Sequence, residues 1–280
     1  MRQQWKEEEI KYLIDNYKIK TNREISEVLG RTKTAIDVKA NKLGLKSSKY
    51  YYNEKYFEKI NTEEKAYWLG FIYADGYVVH SGIYGKEFGI ELQAKDINHL
   101  KKFNKSVNGN LKINKFKKKC NLNNKTYDMC SIRIYRKNFV ESLEKWGVIE
   151  NKTFDIKFPN INEELIRHFI RGYFDGDGCV TKNKEYIKYD FTSGNISFLE
   201  ELRCILYKNN IKSYIYKEKE NTYRLCIGGM LNCDIFYNYL YKDSNIYLDR
   251  KFNKKNSIYD ELNIDIRIEK YCKKYNINYI

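Results

Sequence analysis

The chain has 280 residues, 42% of them hydrophobic, with one proline and 52 Lys+Arg against 37 Asp+Glu, a net charge of +15. That composition excludes a disordered chain and is enough for one large domain or two smaller ones. The basic excess asks for a polyanionic partner, nucleic acid first; codon bias explains many Lys and Asn residues but not the failure of the acids to balance them.

Residues 1–45 read as three helices. Trp5, Ile10, Leu13, Ile14 and Tyr17 recur at helical spacing. Thr21-Asn22 offers a cap to a second helix carrying Ile25, Val28 and Leu29, ended by Gly30. Thr32 begins a third, with Ile36, Ala40 and Leu43 inward, closed by Gly44. Two short helices about a Gly-containing turn are a helix-turn-helix signature, and the last helix would present Lys33, Thr34, Asp37, Lys39 and Asn41 to a major groove. A protein-binding three-helix bundle is the alternative. Residues 46–60, opening Lys46-Ser47-Ser48-Lys49-Tyr50-Tyr51-Tyr52, read as a charged aromatic linker.

Residues 61–160 begin a repeat. A helix from Thr62 to Ala74 leads into two strands about Gly82 to Gly85, the second alternating Phe88, Ile90 and Leu92 against Glu87, Glu91 and Gln93. Asp96 suits the N-cap of a further helix. Strands at roughly 110–117 and 127–135 flank a basic hairpin, Lys115 to Lys119, and a helix follows from Lys137 to Trp146. Residues 161–258 run through the same order: a helix from Asn162 to Gly176, strands about Lys182 to Lys184, and a helix capped by Asn195. Strands at 213–218 and 222–228 come next, then a helix from Met230. The simplest reading is an α+β fold of two pseudo-symmetric αββαββα repeats, each sheet burying one face under helices. The tail, 259–280, reads as one more helix with Leu262, Ile266, Ile268 and Tyr271 on one side.

Seven cysteines without a C-x-x-C pair and three scattered histidines exclude a zinc site and a disulfide framework. Reduced thiols fit the cytoplasm, of a bacterial or phage-infected cell, or an organelle. Met1-Arg2-Gln3-Gln4-Trp5 is too polar for a signal peptide, and the apolar stretch Ala66 to Ala74 is too short to span a bilayer, so no membrane partner is expected.

The most informative feature is a duplicated pattern. Trp68-Leu69-Gly70-Phe71-Ile72-Tyr73-Ala74-Asp75-Gly76 is echoed by Ile170-Arg171-Gly172-Tyr173-Phe174-Asp175-Gly176-Asp177-Gly178. Small residues lie at i and i+4, Gly70 with Ala74 and Gly172 with Gly176, so each helix has a face that lets another backbone approach. Each helix then closes on a carboxylate, Asp75 or Asp177, at the end where the helix dipole is already negative. Two such ends side by side would call for divalent cations. The carboxylates and the backbone carbonyls of Ala74 and Gly176 are hard oxygen donors of the kind Mg²⁺ accepts beside phosphate oxygens, and two or more ions would suit in-line displacement at a phosphodiester. Two buried helices with ordinary Asp-Gly turns are the plainer alternative.

These paired motifs resemble those of the LAGLIDADG homing endonucleases in their single-chain, two-motif form, over roughly residues 62–258. The N-terminal segment resembles Myb-like helix-turn-helix modules. The resemblance implies a saddle of β-sheets over DNA, and metal held by the last Asp of each motif, Asp75 and Asp177. It implies a basic residue near each metal site, matched by Lys152 in Glu150-Asn151-Lys152-Thr153 and Lys251 in Leu248-Asp249-Arg250-Lys251. Gln93 would order the attacking water. The implied activity is Mg²⁺-dependent, site-specific hydrolysis of both strands of double-stranded DNA by a monomer, through metal-activated water, at a long asymmetric site. A non-cleaving DNA-binding regulator and an intron RNA maturase on the same fold are the alternatives, the last with intron RNA as partner. One position departs from the pattern: the acid at Asp175 has Tyr73 as its counterpart in the first copy. The ends, Met1 and Asn278-Tyr279-Ile280, lack the nucleophile and terminal His-Asn of a self-splicing intein. For DNA reading, the polar strand positions Glu91, Gln93, Arg133, Lys182, Lys188 and Arg224 are candidates, with Lys117, Lys118 and Lys119 on phosphates.

Overall fold

Three short helices open the chain: α1 (Glu7–Asn16), α2 (Asn22–Leu29) and α3 (Lys33–Lys42). They close around Leu13, Tyr17, Ile25, Ile36 and Ala40, with Trp5, Tyr12, Leu29 and Leu45 packed at the margin. Thr32 starts α3 as its spacing predicts, its hydroxyl accepting from the Ala35 N–H at 3.2 Å. Gly30 and Gly44 take the left-handed conformation (φ +62° and +66°) that ends α2 and α3. Ile14, Val28 and Leu43, expected inward, are exposed, because so small a centre is filled by the five buried side chains.

The computed structural model describes residues 4–17, 20, 22–45, 50–81, 85–120, 124–150, 156–183 and 186–279. These divide into two units, Met1–Asn53 with Asn104–Lys112, and Glu54–Phe103 with Ile113–Ile280. In the first, the Asn53 N–H donates to the Val107 carbonyl (2.7 Å) and the Asn110 N–H to that of Tyr51 (3.0 Å).

The second unit is built on two helices too apolar to sit at a surface. In α4 (Glu63–Asp75) every residue from Ala66 to Tyr73 is buried, and Thr62 caps its start. The chain continues through β1 (Gly76–Ser81), β2 (Gly85–Gln93), a single 3-10 turn (Ala94–Asp96), α5 (Ile97–Ser106), β3 (Asn114–Lys119), β4 (Thr126–Ile134) and α6 (Lys137–Lys145). The order then recurs: α7 (Glu163–Asp177), β5 (Cys179–Asn183), β6 (Tyr186–Ser193), α8 (Ile196–Lys208), β7 (Tyr214–Lys219), β8 (Thr222–Ile227) and α9 (Met230–Tyr241). Each repeat makes one antiparallel four-stranded sheet with the same order, β1-β2-β4-β3 and β5-β6-β8-β7. The architecture is α+β, as the duplicated pattern predicts.

Alternation decides the faces. Phe88, Ile90, Cys130, Ile132 and Ile134 pair on one side of the first sheet and are buried; Glu87, Glu91 and Arg133 lie on the other, open side. In the second sheet Tyr189, Phe191, Leu225 and Ile227 face the core.

Three sequence expectations change. The basic run Lys115 to Lys119 is strand β3 itself, not a hairpin, since Phe116 and the alternating lysines suit a ladder against β4. Asp96 ends the 3-10 turn, and its carboxylate accepts from Arg250 Nε (3.1 and 3.3 Å) instead of capping α5. The tail holds two helices, α10 (Asp249–Leu262) and α11 (Ile264–Tyr275), broken at Asn263, which adopts the left-handed conformation. The first of them runs across the expected end of the second repeat at residue 258, with Ile258 and Tyr259 buried.

Candidate active site at the helix crossing

The small residues of the motif set the crossing of α4 and α7. A methyl group added at Gly70 would overlap the carbonyl oxygen of Phe169 and stand 2.8 Å from its carbon. One added at Gly172 would overlap the carbonyl oxygen of Tyr67 and stand 2.8 Å from the Phe71 nitrogen. The contacts are reciprocal, so the two helices meet backbone to backbone about a pseudo-twofold axis. Further along, a methyl at Gly176 would overlap that of Ala74 and lie 3.2 Å from Asp75 Oδ2. The C-terminal ends are therefore adjacent, and Asp75 and Asp177 are the last residues of their helices, Asp75 half-buried and Asp177 exposed.

Lys251 enters this end of the crossing from the first turn of α10. Its ammonium donates to the carbonyls of Phe174 (2.6 Å), Gly176 (2.9 Å) and Gly178, the open carbonyl end of α7. Burial pushes its pKa down to about 8, against the upward pull of the Asp175, Asp75 and Asp177 carboxylates. The Gly176 carbonyl, expected as a metal ligand, is thus already engaged by an ammonium. Two ion pairs from the first repeat hold this turn of α10: Lys102 to Asp249 (2.6 Å) and Asp96 to Arg250 (3.1 Å). Lys152, the counterpart expected in the first repeat, lies outside the described residues.

Behind the crossing is a buried polar network that the sequence announces only through charges inside apolar runs. Asp175 is fully buried. Its carboxylate accepts from the hydroxyls of Tyr67 (2.7 Å) and Tyr241 and from the Leu248 N–H (2.7 Å), and burial holds its pKa above the usual carboxylate range. Tyr67 spends its proton on Asp175, so His99 Nε2, 3.1 Å away, donates to the Tyr67 oxygen. Arg171, also fully buried, donates to the carbonyls of Ile246 (3.0 Å) and Leu240 (2.9 Å) and to Glu63 (2.7 Å). In the first repeat Tyr73 does the work of Asp175 with reversed polarity: its hydroxyl donates to the Trp146 carbonyl, where Asp175 accepts from the Leu248 N–H. Both side chains fasten a late segment of their own repeat to its motif helix.

The other expected site residues separate. Gly76, the residue after Asp75, pairs with Ile90, and Glu91 is the next residue of β2, on the open face. Gln93 is exposed one pleat farther on, about 7 Å along the strand. On the same face Arg133 stands 3.5 Å from Glu87, and Lys118 pairs with Glu91. Lys117 and Lys119 alternate to the opposite face, Lys117 toward Asp128 (3.5 Å), so the lysine run does not act as one patch. Lys182 is likewise misassigned by sequence: it pairs with Ile187 on the helix-covered side and bonds to Glu261 of α10. Lys188 and Arg224 do lie on the open face, paired with Asp190 (2.9 Å) and Glu218. On α3, Lys33, Thr34 and Asn41 are exposed, whereas Asp37 accepts from Asn22 and Lys39 sits 5.7 Å over the Trp5 ring.

The donor set fits a hard divalent cation. Two carboxylates and the Ala74 carbonyl are oxygen ligands at a partly exposed helix end, and Mg²⁺ commonly takes one or two carboxylates and fills its remaining positions with water and phosphate. Among the described residues there is no group of three or more His, Cys, Asp or Glu side chains that would form a fully protein-built cage.

Comparison with known proteins bears on the second repeat. Residues 164–241 match the LAGLIDADG-like domain. That span runs from the start of α7 to the end of α9, one complete αββαββα unit. Among curated proteins of Methanocaldococcus jannaschii, the chain is 32% identical over 140 residues to a probable translation initiation factor IF-2, covering 46% of this chain and 11% of that one. It is 34% identical over 116 residues to the DNA-directed RNA polymerase subunit Rpo1C (39% and 13%). The chain thus spans little more than a tenth of the length of these relatives. An uncharacterized protein of the same organism is 27% identical over 176 residues, 60% of this chain and 63% of its own length. Similar solved structures include full-length DUF199/WhiA from Thermatoga maritima (18% identity, TM-score 0.46, covering 80% of this chain and 73% of that one). Others are the homing endonuclease I-WcaI bound to its DNA recognition sequence (16%, 0.47, 67% and 85%) and the meganuclease I-AabMI bound to uncleaved DNA (13%, 0.49, 73% and 91%). Among the described residues no helix is long and apolar enough to cross a membrane.

Proposed function

We propose that this protein is a divalent-metal-dependent, site-specific endonuclease that hydrolyses both strands of duplex DNA and acts as a monomer. The observation that carries the reading is the reciprocal glycine crossing, which sets Asp75 beside Gly176 and Asp177 at the joined ends of α4 and α7. A backbone contact that close is needed to bring two carboxylates together, and binding DNA alone does not require them. When bound, Mg²⁺ would supply Lewis-acid polarisation of the phosphodiester and neutralise the paired acids. Asp75, Asp177 and the Ala74 carbonyl are its ligands from the chain. Lys251 is a positioning residue: three carbonyl acceptors take up its three N–H donors, and it holds the end of α7 from which Asp177 projects. Lys152 is its counterpart in the first repeat. The open sheet faces read base edges, and Lys33, Thr34 and Asn41 on α3 extend the contact as a helix-turn-helix.

A second reading, a DNA-binding regulator without cleavage, is favoured by one observation: the Lys251 ammonium already sits on the Gly176 carbonyl. Incubating the purified chain with a randomised duplex library in Mg²⁺, with an EDTA control, separates the two. Cuts at one extended motif, abolished by EDTA, support the endonuclease. Selective retention of one sequence without cuts supports the regulator.

A further inference from the structure

Resting on that reading, we infer that Lys188 specifies a guanine in the major groove and that Asp190, buried beneath it, is the positioning residue that fixes it there. Strand β6 alternates: Ile187, Tyr189 and Phe191 are buried against the helices, and Lys188, Asp190 and Thr192 take the open side. Asp190 is nevertheless only 2% exposed. Taking a carboxylate out of water is costly unless it is paired and hydrogen-bonded. Here it is both, accepting from the Lys188 ammonium (2.9 Å) and from the Cys226 thiol of β8 (2.8 Å). Burial and the Asp190 carboxylate push that thiol up to about 11, so it stays a donor.

Of these three side chains Lys188 alone is within reach of a base: it is 34% exposed, whereas Cys226 is fully buried. Arg133, Lys118 and Arg224 are held differently, by Glu87, Glu91 and Glu218, acids 22%, 19% and 36% exposed that can themselves accept from a base. An ammonium has three N–H donors. With one turned to Asp190, two match the O6 and N7 acceptors of guanine, whereas adenine offers N7 beside an N6 donor. A free lysine would lose its side-chain freedom on binding; Lys188 is already held, and preorganisation of that kind sharpens the choice. Lys188 pairs with Thr181, four residues past Asp177. That interval is about 13 Å of strand, which corresponds to about four base pairs of duplex, so the guanine lies within about four base pairs of the cut.

The test is selection of bound sequences from a randomised duplex library by the full chain in EDTA, repeated with variants whose urea midpoints are also measured. Lys188→Met should lower the preference for guanine at one position roughly tenfold and leave the rest of the consensus intact. Lys188→Arg, which keeps the charge and its pairing, should retain the guanine. Asp190→Asn should relax the same position and no other. A shifted urea midpoint with that preference unchanged would make Asp190 structural and overturn its positioning role. The double variant, Lys188→Met with Asp190→Asn, leaves no unpaired charge, so it should stay folded and lose the same single preference. No change at any position, or relaxation spread over the whole consensus, would overturn the inference and leave the duplex reading standing. Retention by the parent with no sequence preference would overturn both.

Discussion

Substituting Gly70→Ala tests the geometry on which the active site depends. The added methyl would lie 2.8 Å from the Phe169 carbonyl carbon and 2.9 Å from the Tyr173 nitrogen, and it would overlap the Phe169 oxygen. Carbon atoms pack at about 3.5–4.0 Å, so α4 and α7 must part by about 1 Å. The obstacles are backbone atoms, which no rotamer change can move. Overpacking of this kind costs about 1–3 kcal/mol, and the upper end applies here. The helix gains roughly 0.5–1 kcal/mol from replacing glycine, leaving a net loss of about 2 kcal/mol. Urea denaturation would read it as a lower midpoint at unchanged slope. Displacing reacting groups by 1 Å is worth roughly a hundredfold in rate, so cleavage should fall far more than stability does. Gly228, with no atom within 4 Å of an added methyl, is the control, expected within about 0.5 kcal/mol of the parent. A Gly70→Ala chain as stable and as active as the parent would refute the close crossing.

Other perturbations follow from the buried network. Asp175→Asn places an amide where the carboxylate accepts from Tyr67, Tyr241 and the Leu248 N–H, leaving at least one donor opposed; a loss of about 2–3 kcal/mol in chemical denaturation is expected. His99 and His168 are both held low, to about 3 and about 4, chiefly by burial. With folded pKa values below the unfolded one of about 6.5, the unfolded chain takes up the protons first. Stability must therefore fall as pH drops below about 6.5, by up to about 1.4 kcal/mol per pH unit for each histidine. His99→Leu should flatten that slope between pH 6 and 5, and an unchanged slope would count against a neutral buried imidazole. Lys251→Met removes the ammonium from the Phe174, Gly176 and Gly178 carbonyls, of which Phe174 keeps the Gly178 N–H as a donor; it should lower the thermal midpoint and reduce cleavage together, and a stable, inactive variant would instead make Lys251 a direct participant in the chemistry.

Elements marked by strong periodicity were legible in the sequence. The apolar runs ending in Asp75 and Asp177, the alternation of Phe88, Ile90 and Leu92, and the cap at Asn195 all occur where their spacing places them. What escaped was whatever depends on a partner distant in sequence. Lys182 looks like any strand lysine until its ladder partner, Ile187, fixes its face. Lys117 and Lys118 are neighbours in sequence and lie on opposite sides of the sheet. The carbonyl of Gly176 is a good ligand by its chemistry, and only the arrival of α10 from 75 residues away engages it. Tyr73 and Asp175 differ in chemistry, yet both tether a late segment of their repeat; reading the motif by residue type alone hides that equivalence. Arg171 carried a usable signal, since a charge in the middle of an apolar helix must find partners, and it has four acceptors: the Ile246 and Leu240 carbonyls, Glu63 and His168 Nδ1.

Metal-dependent cleavage by the paired carboxylates is tested most directly with Asp75→Asn and Asp177→Asn chains. Each is given a plasmid bearing the selected site in Mg²⁺, and binding is measured on the same duplex. Each substitution should abolish double-strand cleavage while affinity stays within a few-fold of the parent. Double-strand cleavage by both variants, or loss of binding by a folded variant, would contradict the assignment of these two acids.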